Sequence, residues 1–202
     1  MFVQVIQGKV TDAEQVHAAL DRWVEGLAPD ASGWLGTTAG VTEGGQFVAL
    51  VRFESAEAAQ GNSGRPEQDK WWSDFSALFT EDATFHESDD VIADLAGDPD
   101  SAGFVQVMQG RGTNPDRARE LMTADSEKWA DFRPDLVASV VSMYDDGAYT
   151  MAMYFTSEEE AREGEKKEPP AEMKAQMDEL NSFSVGMPTF FDLKQPWLYS
   201  PN

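Results

Sequence analysis

The heptad Phe2 to Gly8, FVQVIQG, returns at Phe104 to Gly110 as FVQVMQG, with Met108 in the place of Ile6 and nothing else changed. At the same offset of 102 positions Thr11 falls on Thr113, Trp34 on Leu136, Gly45 on Gly147, Phe47 on Tyr149, Phe53 on Phe155, Ser55 on Ser157 and Leu78 on Leu180. A register held without a gap over most of a hundred residues means two copies of one unit. Between them Asp90 to Gly103, DVIADLAGDPDSAG, carries the Gly, Pro, Asp and Ser of a connection. The expected division is a first domain over 1–93, a linker over 94–103, and a second domain with a C-terminal tail over 104–202.

Each copy repeats one order of periodic signals. Phe2 to Gly8 is a short apolar, β-branched run and reads as a strand. Thr11 with Glu14 starts a helix whose apolar stripe runs through Val16, Leu20, Trp23, Val24 and Leu27. In the second copy Thr113 or Asn114 caps, and Pro115 suits the first turn. Two strands around a tight turn follow, Trp34 to Val41 and Phe47 to Phe53, matched by Leu136 to Met143 and Tyr149 to Phe155. Gly44, Gly45 and Gly147 can take the positive φ of such turns. Ser55 and Ser157 open a second helical stretch, which Pro66 restarts in the first copy, and short strands at Ala83 to Ser88 and Met187 to Leu193 close each unit.

The order β-α-β-β-α-β is that of a ferredoxin-like domain, an antiparallel sheet with helices on one face. Phe47 to Val51 and Met151 to Phe155 are apolar on both parities, so neither sheet face is meant to see water. The expected class is therefore α+β, with two ferredoxin-like domains packed sheet to sheet as an intramolecular pseudo-dimeric α/β barrel.

The first strand, the paired-glycine hairpin and the strand-to-helix signature Val51 to Ala59, echoed at Met153 to Ala161, resemble the dimeric α/β-barrel superfamily. Within it the chain is similar to antibiotic-biosynthesis-monooxygenase-like domains in tandem. The resemblance implies a cavity between sheet and helices. It also implies an asparagine on the first strand and a tryptophan and histidine on the second helical region. Those places fall here on Ile6 or Gln7, on Gly61, and on Lys70 and Trp71, so that polar set is not reproduced.

Charge and residue counts remove several functions. A formal charge of −22, spread over both halves, repels the phosphates of nucleic acids and anionic lipid surfaces. Without cysteine there is no disulfide framework, thiolate nucleophile or thiolate metal site, and two histidines do not build a multi-histidine centre. No metal and no cofactor is expected. The apolar alternation begins without a basic lead, and no window reaches a membrane span, which reads as a soluble cytoplasmic protein.

The candidate ligand-binding residues are Gln4, Gln7, Trp23, Trp71, Trp72 and His86. Gln4 and Gln7 interrupt an apolar strand on opposite faces, and a buried amide needs partners, from the protein or from a ligand. The tryptophans lie on helices that cover the sheet, as core or as the walls of a pocket for flat molecules. His86 is the histidine placed to point into a core, where it either packs as a structural residue or moves a proton, and it is the candidate catalytic residue. Asp125 and Met173 stand where the first copy has Trp23 and Trp71, so a retained site is expected in the first half. Two readings follow: a binder of a small hydrophobic or aromatic molecule, and a cofactor-independent oxygenase acting on an aromatic or polyketide-like substrate. Further pairing of two chains is left open.

Overall fold

In the computed structural model, which describes residues 1–95, 97–124 and 126–201, the chain forms two antiparallel five-stranded sheets with their helices. The class is α+β, with a ferredoxin-like fold in each half. The compact units are Met1–Asp89 with Gln195–Asn202, and Asp90–Lys194.

The first unit contains β1 (Phe2–Lys9), α1 (Ala13–Gly26), β2 (Trp34–Val41), β3 (Gln46–Phe53), α2 (Ala56–Ser63), α3 (Pro66–Ser76) and β4 (Thr84–Ser88). The second contains β5 (Val91–Asp94), β6 (Phe104–Arg111), α4 (Pro115–Thr123), α5 (Ser126–Phe132), β7 (Leu136–Met143), β8 (Ala148–Phe155), α6 (Glu158–Glu165), α7 (Ala171–Ser182) and β9 (Thr189–Leu193). A last strand, β10 (Trp197–Tyr199), belongs to the first unit. The strand orders are β10-β2-β3-β1-β4 and β5-β7-β8-β6-β9.

The duplication is visible bond by bond. Phe2 pairs with Phe53 and Phe104 with Phe155, and each β2-type strand bulges at the same place, between Trp34 and Gly36 and between Leu136 and Ala138. Gly45 and Gly147 turn the hairpins at φ 77° and 80°, whereas Gly44 does not adopt a positive φ. His86 pairs with Val5 and Phe191 with Val107, so the second unit carries a three-residue insertion. It lies between α6 and α7, because Gln176 already donates to Leu121 O as Trp71 donates to Ala19 O.

Two segments depart from the expected division. Val91–Asp94, at the start of the expected connection, pairs with β7 through Val91 and Ser142. The tail does not stay with the second domain: Trp197, Leu198 and Tyr199 pair with Ala39, Thr38 and Thr37 of β2. Each ferredoxin-like sheet gains a fifth strand this way, drawn from a stretch too short for periodicity to reveal.

Helix starts follow the local chemistry. Asp12, not Thr11, caps α1 by accepting from Gln15 N, and Asn114 caps α4 by accepting from Arg117 N. Ser55 and Ser157 cap α2 and α6 in the same manner. In the first unit Val16, Ala19 and Leu20 of α1 and Phe75 of α3 bury themselves against Ala39, Phe47 and Ala49 of the sheet. On the other sheet face Val3, Val5, Val48 and Leu50 are also fully buried, in keeping with the apolar run on both parities. Among the described residues, no helix is long and apolar enough to cross a membrane.

Candidate functional site

Strand register decides which side chains of the first unit look toward the helices. Ile6 stands opposite Ala49 and Phe85, and Gln4 opposite Val51 and Glu87. These even-numbered residues of β1, with Thr37, Phe47 and Phe53, form the floor of a cavity of 290 Å³. Leu20 and Trp23 of α1, Asn62 at the end of α2, and Gln68, Trp71, Trp72 and Phe75 of α3 form its walls and roof.

The aromatic walls are held by one another and by hydrogen bonds. Trp71 stacks on Phe75 with centroids 4.5 Å apart, and Trp72 meets Phe85 edge to face at 5.1 Å. Trp71 Nε1 donates to Ala19 O at 3.2 Å, tying α3 to α1. Trp23, 6% exposed, donates from Nε1 to Gln68 Oε1 at 2.6 Å.

Three amides meet at this cavity with half of their capacity used inside the protein. Gln4 Nε2 donates to Glu87 Oε1 at 2.6 Å, Asn62 Oδ1 accepts from Arg65 Nη1 at 3.0 Å, and Gln68 Oε1 accepts from Trp23. Gln4 Oε1, Asn62 Nδ2 and Gln68 Nε2 have no partner among the described residues. One acceptor and two donors are thus left for a polar atom of a guest.

Of the residues singled out from sequence, Gln4, Trp23, Trp71 and Trp72 come together here. Gln7 and His86 do not. Gln7 has the parity of Val3 and Val5, and His86 pairs with Val5, so both lie on the sheet face away from this cavity. Gln7 is buried there and His86 is exposed, which corrects the expectation of a core histidine beside the ligand. Sequence reasoning missed Gln68 and Asn62. Gln68 precedes Trp71 by three residues and so shares its helical face, a signal that was present. Asn62 reads as a turn residue in Gly61 to Gly64, yet it belongs to α2 and is buried.

The second unit also holds a cavity, of 230 Å³, so a hollow between sheet and helices is not confined to the first half. It lies between the sheet and helices α4 and α7, and Met108, Met151, Tyr149 and Leu180 are among its walls. Met173, set against Trp71 by the ungapped offset, is buried in the second unit, but the insertion makes Gln176 the counterpart of Trp71, donating to Leu121 O as Trp71 donates to Ala19 O. Asp125 lies outside the described residues. Among the described residues, no group of three or more histidine, aspartate or glutamate side chains is arranged to hold a metal ion.

No family model matches the sequence, and no curated protein is similar to it. Solved structures are similar along almost the whole chain. A candidate monooxygenase from Lactobacillus acidophilus is 12% identical, with 98% of this chain and 99% of that one aligned at a TM-score of 0.72. A second candidate monooxygenase, from Fusobacterium nucleatum, is 10% identical over 98% and 94%, at 0.74. An anthrone oxidase-like protein is 13% identical over 98% and 92%, at 0.66. At such identities the likeness is one of fold. The chain has the tandem ferredoxin-like fold of these monooxygenase-type proteins, in line with the resemblance carried by its first strand, hairpin and strand-to-helix signature.

Proposed function

We propose that the first unit binds a flat, neutral aromatic molecule of about two fused rings between its sheet and helices. The observation that carries this reading is an aromatic-walled cavity of 290 Å³ into which three half-satisfied amides converge. A cavity of roughly 150 Å³ admits benzene, so this one suits a guest of about twice that size. Trp72, Phe75 and Phe85 supply faces and edges for a ring system, and the amides of Asn62 and Gln68 supply donors for a phenol or carbonyl oxygen.

Calorimetric titration with 2-naphthol tests it. Saturable binding at one site is expected, weakened about tenfold by Trp72→Leu and by Gln68→Leu, a change of about 1.4 kcal/mol for each. Unchanged affinity in both variants would refute the reading.

The likeness to candidate monooxygenases and to an anthrone oxidase-like protein favours a second reading, a cofactor-independent oxygenase acting on an electron-rich aromatic substrate. Such a substrate reduces dioxygen itself once a base has taken its proton. Asp69 is the titratable side chain on the cavity lining among the described residues, and His86 has no place in this version. Oxygen uptake with a polycyclic phenol, lost in Asp69→Asn while binding survives, separates turnover from binding.

A further inference from the structure

We infer that the second unit holds a ligand site of its own, for a neutral, flexible aliphatic molecule of about nine heavy atoms, different in chemistry from the guest of the first unit. The residues that fill the hairpin end of the first unit are replaced at their counterparts. Counted across the three-residue insertion, Phe75 becomes Leu180 and Phe79 becomes Ser184, and Val41 becomes Met143. In the first unit Phe79 lies directly over Gly8. With no ring at position 184, Tyr149 covers the matching Gly110, and space opens between β8, α4 and α7.

At the other end of the sheet, where the first unit is hollow, the second is filled by two arginines. Arg133 lies over the ring of Phe155 at 5.4 Å and Arg162 over that of Phe104 at 5.2 Å. Arg162 pairs with Asp192, and Arg133 with Asp135. The two hollows therefore overlap where Ile6, Leu20 and Ala49 answer to Met108, Met122 and Met151, but they extend toward opposite ends of the sheet and have different walls.

Three features of this cavity select its guest. Five of the nine methionines, at 108, 122, 143, 151 and 177, line it, and unbranched thioethers mould themselves to a flexible chain better than to a rigid plane. Among the described residues no charged side chain lines it, so an ionised head group would be stripped of water without a counter-charge. Asn114, Asn181 and Ser184 add neutral polar groups that suit a hydroxyl or carbonyl end. Its 230 Å³ is about half as large again as the cavity that admits benzene, which scales to a chain of about nine heavy atoms.

The methionines themselves are the reporters. In the full chain labelled at the methionine methyl carbons, titration with 1-octanol is expected to shift the signals of Met108, Met122, Met143, Met151 and Met177 in a saturable manner. Met1, Met153, Met173 and Met187 should stay in place. Octanoate at neutral pH should bind at least tenfold more weakly. The double substitution Leu180→Phe with Ser184→Phe, which rebuilds the filling of the first unit, should abolish the shifts. If that variant does not fold, the wild-type pattern decides alone. Shifts spread evenly over all nine methionines, no saturable shift at the five, or octanoate binding as well as octanol would overturn the inference. Failure of 2-naphthol to bind the first unit would leave these signals untouched, so the two readings fail separately.

Discussion

Tyr199, in the last strand, donates its phenolic O–H to Asp21 Oδ1 on α1 at 2.7 Å, across 178 positions of sequence. Burial pushes this phenol well above its usual range, and the hydrogen bond and charge of Asp21 push it further. A group whose folded value is raised stabilises the fold below its unfolded value, near 10, and loses that contribution as pH climbs beyond it. Tyr199→Phe should cost about 1 kcal/mol at pH 7 through the lost hydrogen bond. It should also flatten the decline in stability above about pH 10. Urea unfolding followed by tryptophan fluorescence checks both, because five of the six tryptophans belong to the first unit. Parallel declines in the two proteins would show that Tyr199 does not carry the alkaline sensitivity.

The same strand closes an edge. Trp197 stacks on His17 with ring centroids 4.4 Å apart and packs beside Phe47, while its backbone pairs with β2. Ending the chain at Lys194 would strip this cover and leave Thr37 to Ala39 without a strand partner on the side away from β3. An unpaired edge recruits other edges. The truncated chain should unfold at a lower urea concentration in its first unit and associate with rising concentration in light scattering. A monomer of unchanged stability would contradict this.

Gly8 is a position of close approach. A Cβ placed there would stand 2.2 Å from Phe79 Cδ1, and Phe79 is in turn wedged edge to face against Phe47 and Phe75, each at 5.5 Å. Gly8→Ala should therefore cost about 1 to 3 kcal/mol by displacing a ring braced against two others. Phe79→Leu should cost a similar amount alone, yet the two together should cost less than their sum, by 1 kcal/mol or more. Strict additivity in a double-mutant cycle would mean that the ring does not lock onto the glycine.

What could be read from the sequence followed from local chemistry and from repetition. The offset that joins Phe2 to Phe104 also joins their registers, and the caps at Ser55 and Ser157 and the turns at Gly45 and Gly147 are where short-range patterns put them. Trp23, Trp71 and Trp72 were legible as cavity walls because helical periodicity shows which side of a helix is apolar. Gln4 and Gln7 were legible only as a pair on opposite faces. Which one faces the helices depends on the pairing of β1 with β3 and β4, a long-range fact with no local signature. For the same reason Phe85, and not its neighbour His86, reaches the cavity. The strand Trp197–Tyr199 was hidden because its partner is more than 150 residues away and three residues carry no period.

The clearest electrostatic test lies in the second unit. Arg133 grips Asp135 through Nη2 to Oδ2 at 2.7 Å and Nε to Oδ1 at 3.0 Å, with the side chains only 14% and 7% exposed. Burial pushes the Asp135 carboxyl up, and the hydrogen bonds and charge of Arg133 outweigh that, leaving it below its ordinary value. With a depressed folded value, the stabilisation is present above about pH 4 and is lost as acid brings the carboxylate to protonation. Arg133→Met keeps the bulk over Phe155 but leaves a buried carboxylate without its partner, at a cost of about 3 kcal/mol at pH 7. Its carboxyl then titrates above the ordinary value, so the variant should gain stability between pH 7 and 5, while the wild type is flat over that interval. Urea unfolding of the two proteins at several pH values measures these slopes. The same slope in both would mean that the guanidinium does not hold the Asp135 charge.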